Sequence, residues 1–312
     1  MNKQNIFIFI SLLIITIFFF TNNEILYYSV LDSFNLFFDK IYIPLFPFLI
    51  LGNILINYNF PYYFSIIFGK FFSKLFNINK QNSFFIFLSM LVGFPSGAVY
   101  INKYLENNLI DEEEAVKLLS ISFFPTPSFV ISSVGVLFLG NIKYGIIILI
   151  SLYITNFLLG IFIRNKSNNK GVLNNDIRNT KSFGIILKES ILLSFNTLII
   201  ILGSITIFMI ISNLIFYYLS FNPFIESIIS SILEMTNGIK KISDLSLTIL
   251  LKILFITFSL SFSGLSIHSQ VLSILSKPPI YKKVFINRIF ASILSIIISY
   301  IIYSLFLCIW KI

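Results

Sequence analysis

The chain predicts an all-α polytopic membrane fold, and three observations carry that prediction. Charged residues are scarce, apolar residues gather in stretches long enough to cross a bilayer, and basic residues collect between those stretches. Of 312 residues, 57% are hydrophobic and 11% charged, against about 25% charged in ordinary soluble domains. So little charge cannot coat a soluble surface, and 38 Phe are more than one core could hide. A water-soluble globule is excluded. The formal charge of +9 does not indicate nucleic acid, because the aromatic residues lie inside the apolar runs and not among the basic ones.

Apolar runs of roughly 17 to 25 residues mark the crossings. Seven are expected, at 5–21, 41–57, 118–140, 144–163, 190–218, 246–276 and 285–309. The first is followed by Thr21-Asn22-Asn23-Glu24, which offers no small-x-small cleavage site, so it is kept as a membrane helix and not a leader. Two further runs, 83–100 and 224–242, are broken by Gly93-Phe94-Pro95-Ser96-Gly97 and by Thr236-Asn237-Gly238. Each is expected to be a re-entrant hairpin, since irregular backbone at membrane depth survives only against protein or a water-filled cavity. Between hairpin and crossing, 102–117 is expected to be one interfacial helix, with Asp111 as N-cap and Glu114 closing a capping box.

Basic residues gather on the cytoplasmic side of membrane proteins. Here they fill 58–82 (Lys70, Lys74, Lys80), 164–189 (Arg164, Lys166, Lys170, Arg178, Lys181, Lys188) and 277–288 (Lys277, Lys282, Lys283, Arg288). With both hairpins returning to their own side, seven crossings put these three loops and the N-terminus inside and the C-terminus outside. The chain divides into an anchor helix with its external loop (1–40), a first gate-like repeat (41–163), a cytoplasmic linker rich in Asn and Lys (164–183) and a second repeat (184–312). Three strings recur in order about 140 to 150 residues apart: Ile50-Leu51-Gly52-Asn53 with Ile201-Leu202-Gly203-Ser204, Gly97 with Gly238, and Pro125-Thr126-Pro127-Ser128 with Ser263-Gly264-Leu265-Ser266. Since the two hairpins enter from opposite faces, the repeat is inverted, as in many secondary transporters.

In such folds, half-helix ends meet near the midplane, where free N–H groups hold anions and unwound carbonyls hold cations. The candidate substrate-binding residues are therefore those of the breaks: Ser96, Gly97, Thr126, Ser128, Thr236, Asn237, Gly238, Ser263, Gly264, Ser266, His268 and Gln270. Any one hydroxyl has an alternative role in bonding the carbonyl one turn back. Glu234 and His268 are the candidates for ion or proton coupling; the alternatives are a partner for Lys240 or Lys241 and a satisfied packing residue. Lys252 either balances substrate charge or snorkels to the interface. Phe94 and Phe129 could stack on an aromatic ligand or simply pack. One Cys and one His exclude an internal disulfide, a cysteine-based metal site and a multi-histidine metal centre, and no cofactor-binding motif, nucleotide loop or hydrolase motif is present. No enzyme is expected. The lipid bilayer is the one partner composition implies, and the sequence leaves a homo-oligomer open.

The strings Gly93-Phe94-Pro95-Ser96-Gly97-Ala98, the acidic run Asp111 to Glu114, Glu234-Met235-Thr236-Asn237-Gly238 and Ser263-Gly264-Leu265-Ser266-Ile267-His268-Ser269-Gln270-Val271-Leu272 together resemble the YlbJ-type (SpoVV) sporulation integral membrane proteins of the nucleoside-recognition or gate-domain superfamily. The resemblance runs from about residue 40 to the end of the chain, which is richer in Ile, Phe and Asn. It implies a fold related to concentrative nucleoside transporters, a place in the outer forespore membrane, and movement of the small anionic metabolite dipicolinate during spore formation. A flat dianion suits opposed helix N-termini with Ser, Thr and Asn donors and one His. Two rival readings are a nucleoside or other small-metabolite transporter or channel, and a non-transporting scaffold of the spore-forming membrane.

Overall fold

The structure, a computed structural model, describes residue 13, residues 16–164 and residues 181–310. The expected crossing at 5–21 and the linker at 164–183 lie largely outside those residues. Among the described residues all regular elements are helical, as hydrocarbon demands of any chain whose backbone polar groups find no water.

The first helix, α1 (Asn23–Leu36), passes through a π-helical turn (Phe37–Tyr42) into α2 (Ile43–Asn57), and the pair bends by 50°. Pro47 inside α2 removes a backbone donor, and the wide π-turn loosens the ladder just before it. This bent pair runs antiparallel along α9 (Phe183–Tyr218), which at 36 residues is about 54 Å long. Polar contacts join them along their length. The Tyr218 hydroxyl donates to Asn22 at 3.2 Å, Asn213 to Ser29 Oγ at 2.8 Å, and Asn53 to Ser194 Oγ at 3.4 Å, while Ser33 and Thr206 share a bond of 2.8 Å. Interhelical bonds of this kind contribute about 0.6 kcal/mol each in a bilayer.

The loop expected at 58–82 contains two short helices, α3 (Phe60–Ile67) and α4 (Gly69–Phe76). They expose Tyr63, Ile66, Ile67, Phe68 and Phe71 beside exposed Lys70 and Lys74, the surface of helices lying in a membrane interface. The first hairpin is α5 (Ser83–Val92), a turn at Gly93–Pro95 with a cis Phe94–Pro95 bond, and α6 (Ser96–Glu106).

The single helix expected at 102–117 is not formed: α6 ends at Glu106 and α7 begins at Glu112. Asp111 is the N-cap of α7, as its spacing suggested, accepting from Glu114 N at 2.7 Å. A buried Glu114 does not close the box. Its carboxylate instead accepts from Asn79 N at 2.6 Å and Asn82 Nδ2 at 3.0 Å, tying α7 to the turn before α5. Burial pushes the Glu114 carboxyl up from the usual carboxylate range, opposed by those two bonds.

Four helices among the described residues are long and apolar enough to cross a membrane: α8 (Ile142–Phe162), α9, the broken span Ile249–Ile274, and Pro278–Cys308, most of which is α14 (Tyr281–Trp310). The bent α1–α2 pair makes a fifth. The run expected at 118–140 is broken: α7 ends at Ile121, residues 122–126 are not helical, and a π-helical segment follows over Phe129–Phe138. The run at 246–276 is likewise broken, into α12 (Ile249–Phe262) and α13 (Gly264–Ile274), where Ser263 and Gly264 both take positive φ. The second hairpin, α10 (Pro223–Leu233) with α11 (Met235–Asp244), breaks at Glu234 and not at Thr236–Gly238. Those three residues form the first turn of α11. Gly238 is there for close approach, since a Cβ would collide with the backbone of Ser231 on α10.

Candidate functional site

The four breaks meet around one cavity, whose empty space including its mouth is about 550 Å³. Phe94 and Pro95 come from the first hairpin, Pro125, Thr126 and Phe129 from the first broken run, Glu234, Met235 and Thr236 from the second hairpin, and Ile267 and Gln270 from the second broken run. Ile201 and Ile205, at the middle of α9, and Lys40, Ile41 and Leu45, from the bent helix, close the remaining sides.

Local chemistry explains why the chain stops at these points. Gly93 takes φ +80°, a value L side chains rarely adopt, and a Cβ there would meet Thr126 Cγ2 at 2.7 Å. Phe94 N donates to Phe124 O at 2.9 Å, so the hairpin tip is pinned to the first broken run. The Thr126 hydroxyl accepts from Phe129 N at 3.3 Å and so caps the π-helical segment. On the other side, Glu234 caps α11 by accepting from Thr236 N at 3.2 Å and Asn237 N at 2.8 Å. Gly264, at φ +68°, lies against the second hairpin tip, where a Cβ would stand 3.0 Å from Met235 N.

Of the residues singled out in the sequence, Thr126, Thr236, Glu234 and Gln270 line the cavity, as do Phe94 and Phe129. Gln270 donates from Nε2 to Ser266 Oγ at 3.3 Å, and its buried Oε1 has no hydrogen-bond partner. Ser96, the first residue of α6, is fully buried with its hydroxyl also unpartnered. The others lie outside the lining. Gly97 backs onto the Ser89 hydroxyl and Gly238 onto Ser231, Ser263 bonds Leu260 O at 3.0 Å, and Ser128 is exposed. Asn237 contributes its N–H to Glu234. Glu234 does not pair with Lys240 or Lys241. Lys241 pairs instead with Glu226 at 3.4 Å and lies 4.1 Å from the centre of the Phe216 ring. Lys252 donates to Ser243 O at 2.6 Å, tying the start of α12 to the end of α11.

His268 does not line this cavity. Its ring sits among Phe123, Phe262, Tyr281 and Phe285. Nε2 lies 2.9 Å from Phe262 O, which can only accept, so Nε2 carries the proton and Nδ1 accepts from the Tyr281 hydroxyl at 2.5 Å.

Sequence reasoning missed the apolar lining from α2 and α9 and two charged residues. Lys40 belongs to the cavity, and Arg288, counted with the basic loop 277–288, is fully buried on α14. Its Nη1 donates to Ser120 O at 3.1 Å and Asn156 Oδ1 at 2.7 Å, and Nη2 donates to the Ser261 carbonyl and, at 3.2 Å, to the Ser261 hydroxyl. Ser120 and Ser261 lie in the last turns of α7 and α12, the two helices that stop at the breaks. The guanidinium thus caps both C-termini at once.

The chain is similar to the sporulation integral membrane protein YlbJ of Bacillus subtilis (strain 168), at 24% identity over 294 residues, covering 82% of this chain and 72% of the relative. No family model and no solved structure matches the chain. That likeness agrees with the resemblance carried by the Gly93–Ala98, Glu234–Gly238 and Ser263–Leu272 strings.

Proposed function

We propose that the chain is an alternating-access transporter for a small anionic metabolite, with dipicolinate as the substrate the family likeness implies and the outer forespore membrane as its place. The observation that carries this reading is the convergence of the two hairpins and the two broken runs on one cavity at the middle of α9. Backbone breaks in hydrocarbon are expensive unless they line a site, and four that face one another have their simplest account in a ligand there. The orphaned acceptor Gln270 Oε1 supports an occupied cavity, because a buried acceptor without a donor costs about 1–3 kcal/mol. Phe94 and Phe129 offer flat apolar surfaces for a ring.

The same reading takes the two hairpins as re-entrant and the halves as an inverted repeat, with the N-terminus inside and the C-terminus outside. A parallel in packing supports it: each hairpin brings a glycine of its second arm against a serine of its first, Gly97 on Ser89 and Gly238 on Ser231. The parallel does not extend to Gly52, which packs on Tyr100, and Gly203, which faces open space.

The test is uptake of labelled dipicolinate into proteoliposomes of the purified protein, with uridine and empty vesicles alongside. Saturable dipicolinate uptake, reduced at least tenfold by Gln270→Leu or Thr236→Val, is the expected result. Uptake of uridine alone moves the substrate class to nucleosides. No uptake of either by folded protein moves the function to a scaffold.

A further inference from the structure

Two ionisable residues of opposite sign line the cavity and do not pair. Lys40 enters from the π-helical turn of the bent first helix, and Glu234 from the tip of the second hairpin. The ion pairs among the described residues join Lys181 to Glu189, Lys241 to Glu226 and Lys277 to Glu112, and include neither. Both oxygens of Glu234 are taken by the first N–H groups of α11. An ionisable side chain facing a cavity within a membrane bundle is expensive and marks a substrate or ion path. Here the lysine forms no ion pair with the carboxylate that shares its cavity.

A ligand carboxylate would complete Lys40, but it would bring a second anion into the small space that holds Glu234. Two carboxylates at low dielectric repel strongly, and the usual resolution is that one of them binds a proton. We infer that Lys40 selects for an anionic substrate and that Glu234 takes up a proton as the anion binds, so that each anion crosses with one proton. This deepens the transport reading and rests on it. The step balances simply: a proton from water joins a Glu234 oxygen on loading and leaves it on release, and no other covalent bond changes.

No other charged group nearby can take that part. On the second hairpin, Glu226 and Lys241 are paired with each other and Lys240 is exposed. On α12, Lys252 is bonded to Ser243 O at the far end of α11. On α13, His268 faces its aromatic cage, and on α14, Arg288 is held by Ser120, Asn156 and Ser261. On the first helix, Asp39 is exposed.

The test uses the full chain in detergent with weak buffer, a pH-sensitive dye and dipicolinate as the probe. Binding should take up one proton per anion. That uptake should vanish in Glu234→Gln and persist in His268→Gln, whose imidazole lies outside the cavity. Lys40→Gln should weaken dipicolinate binding at least tenfold, and Lys40→Arg should restore most of it, which separates lost charge from lost fold. In proteoliposomes an acid exterior should speed uptake by the wild type. Binding without proton uptake, or proton uptake that survives Glu234→Gln, overturns the coupling while leaving the transport reading intact. Wild-type affinity in Lys40→Gln overturns the selectivity role. Folded protein that neither binds nor moves dipicolinate or uridine overturns both readings.

Discussion

A guanidinium buried in a membrane bundle without a carboxylate needs another source of negative charge, and Arg288 finds it in two helix ends. Each helix C-terminus carries about half an elementary negative charge, so α7 and α12 together match one arginine. Arg288→Met should leave both terminal carbonyls and Asn156 unsatisfied and cost about 3–5 kcal/mol, read as a large drop in the thermal midpoint in detergent. Arg288→Lys keeps the charge and loses the fork, so it should recover less than half of that loss. A midpoint unchanged in Arg288→Met would remove the capping role. Neither Arg288 nor Lys40 stood out in the sequence, and the reason is physical. A charge near the edge of an apolar run looks the same whether it snorkels outward or turns inward, and the partners of Arg288 lie 27 to 168 residues away in the chain. Thr126 was legible because it sits between two prolines, and Glu234 and Gln270 because they share a short polar string with Gly238 and Gly264, which interrupt apolar runs. His268 was legible only as a titratable group, and its two partners turned out to be internal.

At the level of elements, the hairpins make a graded prediction. Gly238→Ala would press a methyl into the backbone of Ser231, which cannot move aside, whereas Gly97→Ala would press it into the Ser89 hydroxyl, which can rotate. Gly238→Ala should therefore destabilise by about 2–4 kcal/mol and Gly97→Ala by less, while Gly203→Ala, with nothing within 4 Å, should leave the midpoint unchanged. Equal losses at Gly97 and Gly238 would contradict the geometry. The tie between α7 and α5 carries a pH dependence. The folded-state pKa of Glu114 is raised, so as pH climbs the unfolded chain ionises first, and folding loses stability until the folded carboxyl also ionises. Glu114→Gln should remove that decline, seen as midpoints for wild type and variant that diverge upward from about pH 4.3, the ordinary glutamate value. Curves that stay parallel would show that the two bonds from Asn79 and Asn82 outweigh burial. Most elements were legible because apolar run length and glycine or proline punctuation are local. The split of 102–117 carries a local signal that sequence reasoning missed: Asn108 takes the left-handed conformation asparagine tolerates just past a helix end, and Asp111 caps a new helix behind it.

At the scale of the molecule, the polytopic α-helical character followed from composition, whereas the meeting of the four breaks did not. That meeting joins Lys40, Phe94, Thr126, Glu234 and Gln270 across 230 residues of chain, a distance no local pattern reports. One dimension of the fold also bears on how such a cavity would serve two sides in turn. Ile201 and Ile205 touch the cavity from the centre of α9, leaving an arm of about 27 Å on either side. A rod pivoted at that point is a lever with its fulcrum at the cavity. Tilting it by roughly 10° swings each tip by about 5 Å in opposite senses, yet the side chains at the pivot barely travel. Spin labels at Phe183 and Tyr218, each measured against α14, should then report anticorrelated changes on adding dipicolinate, while a label at Gly203 stays still.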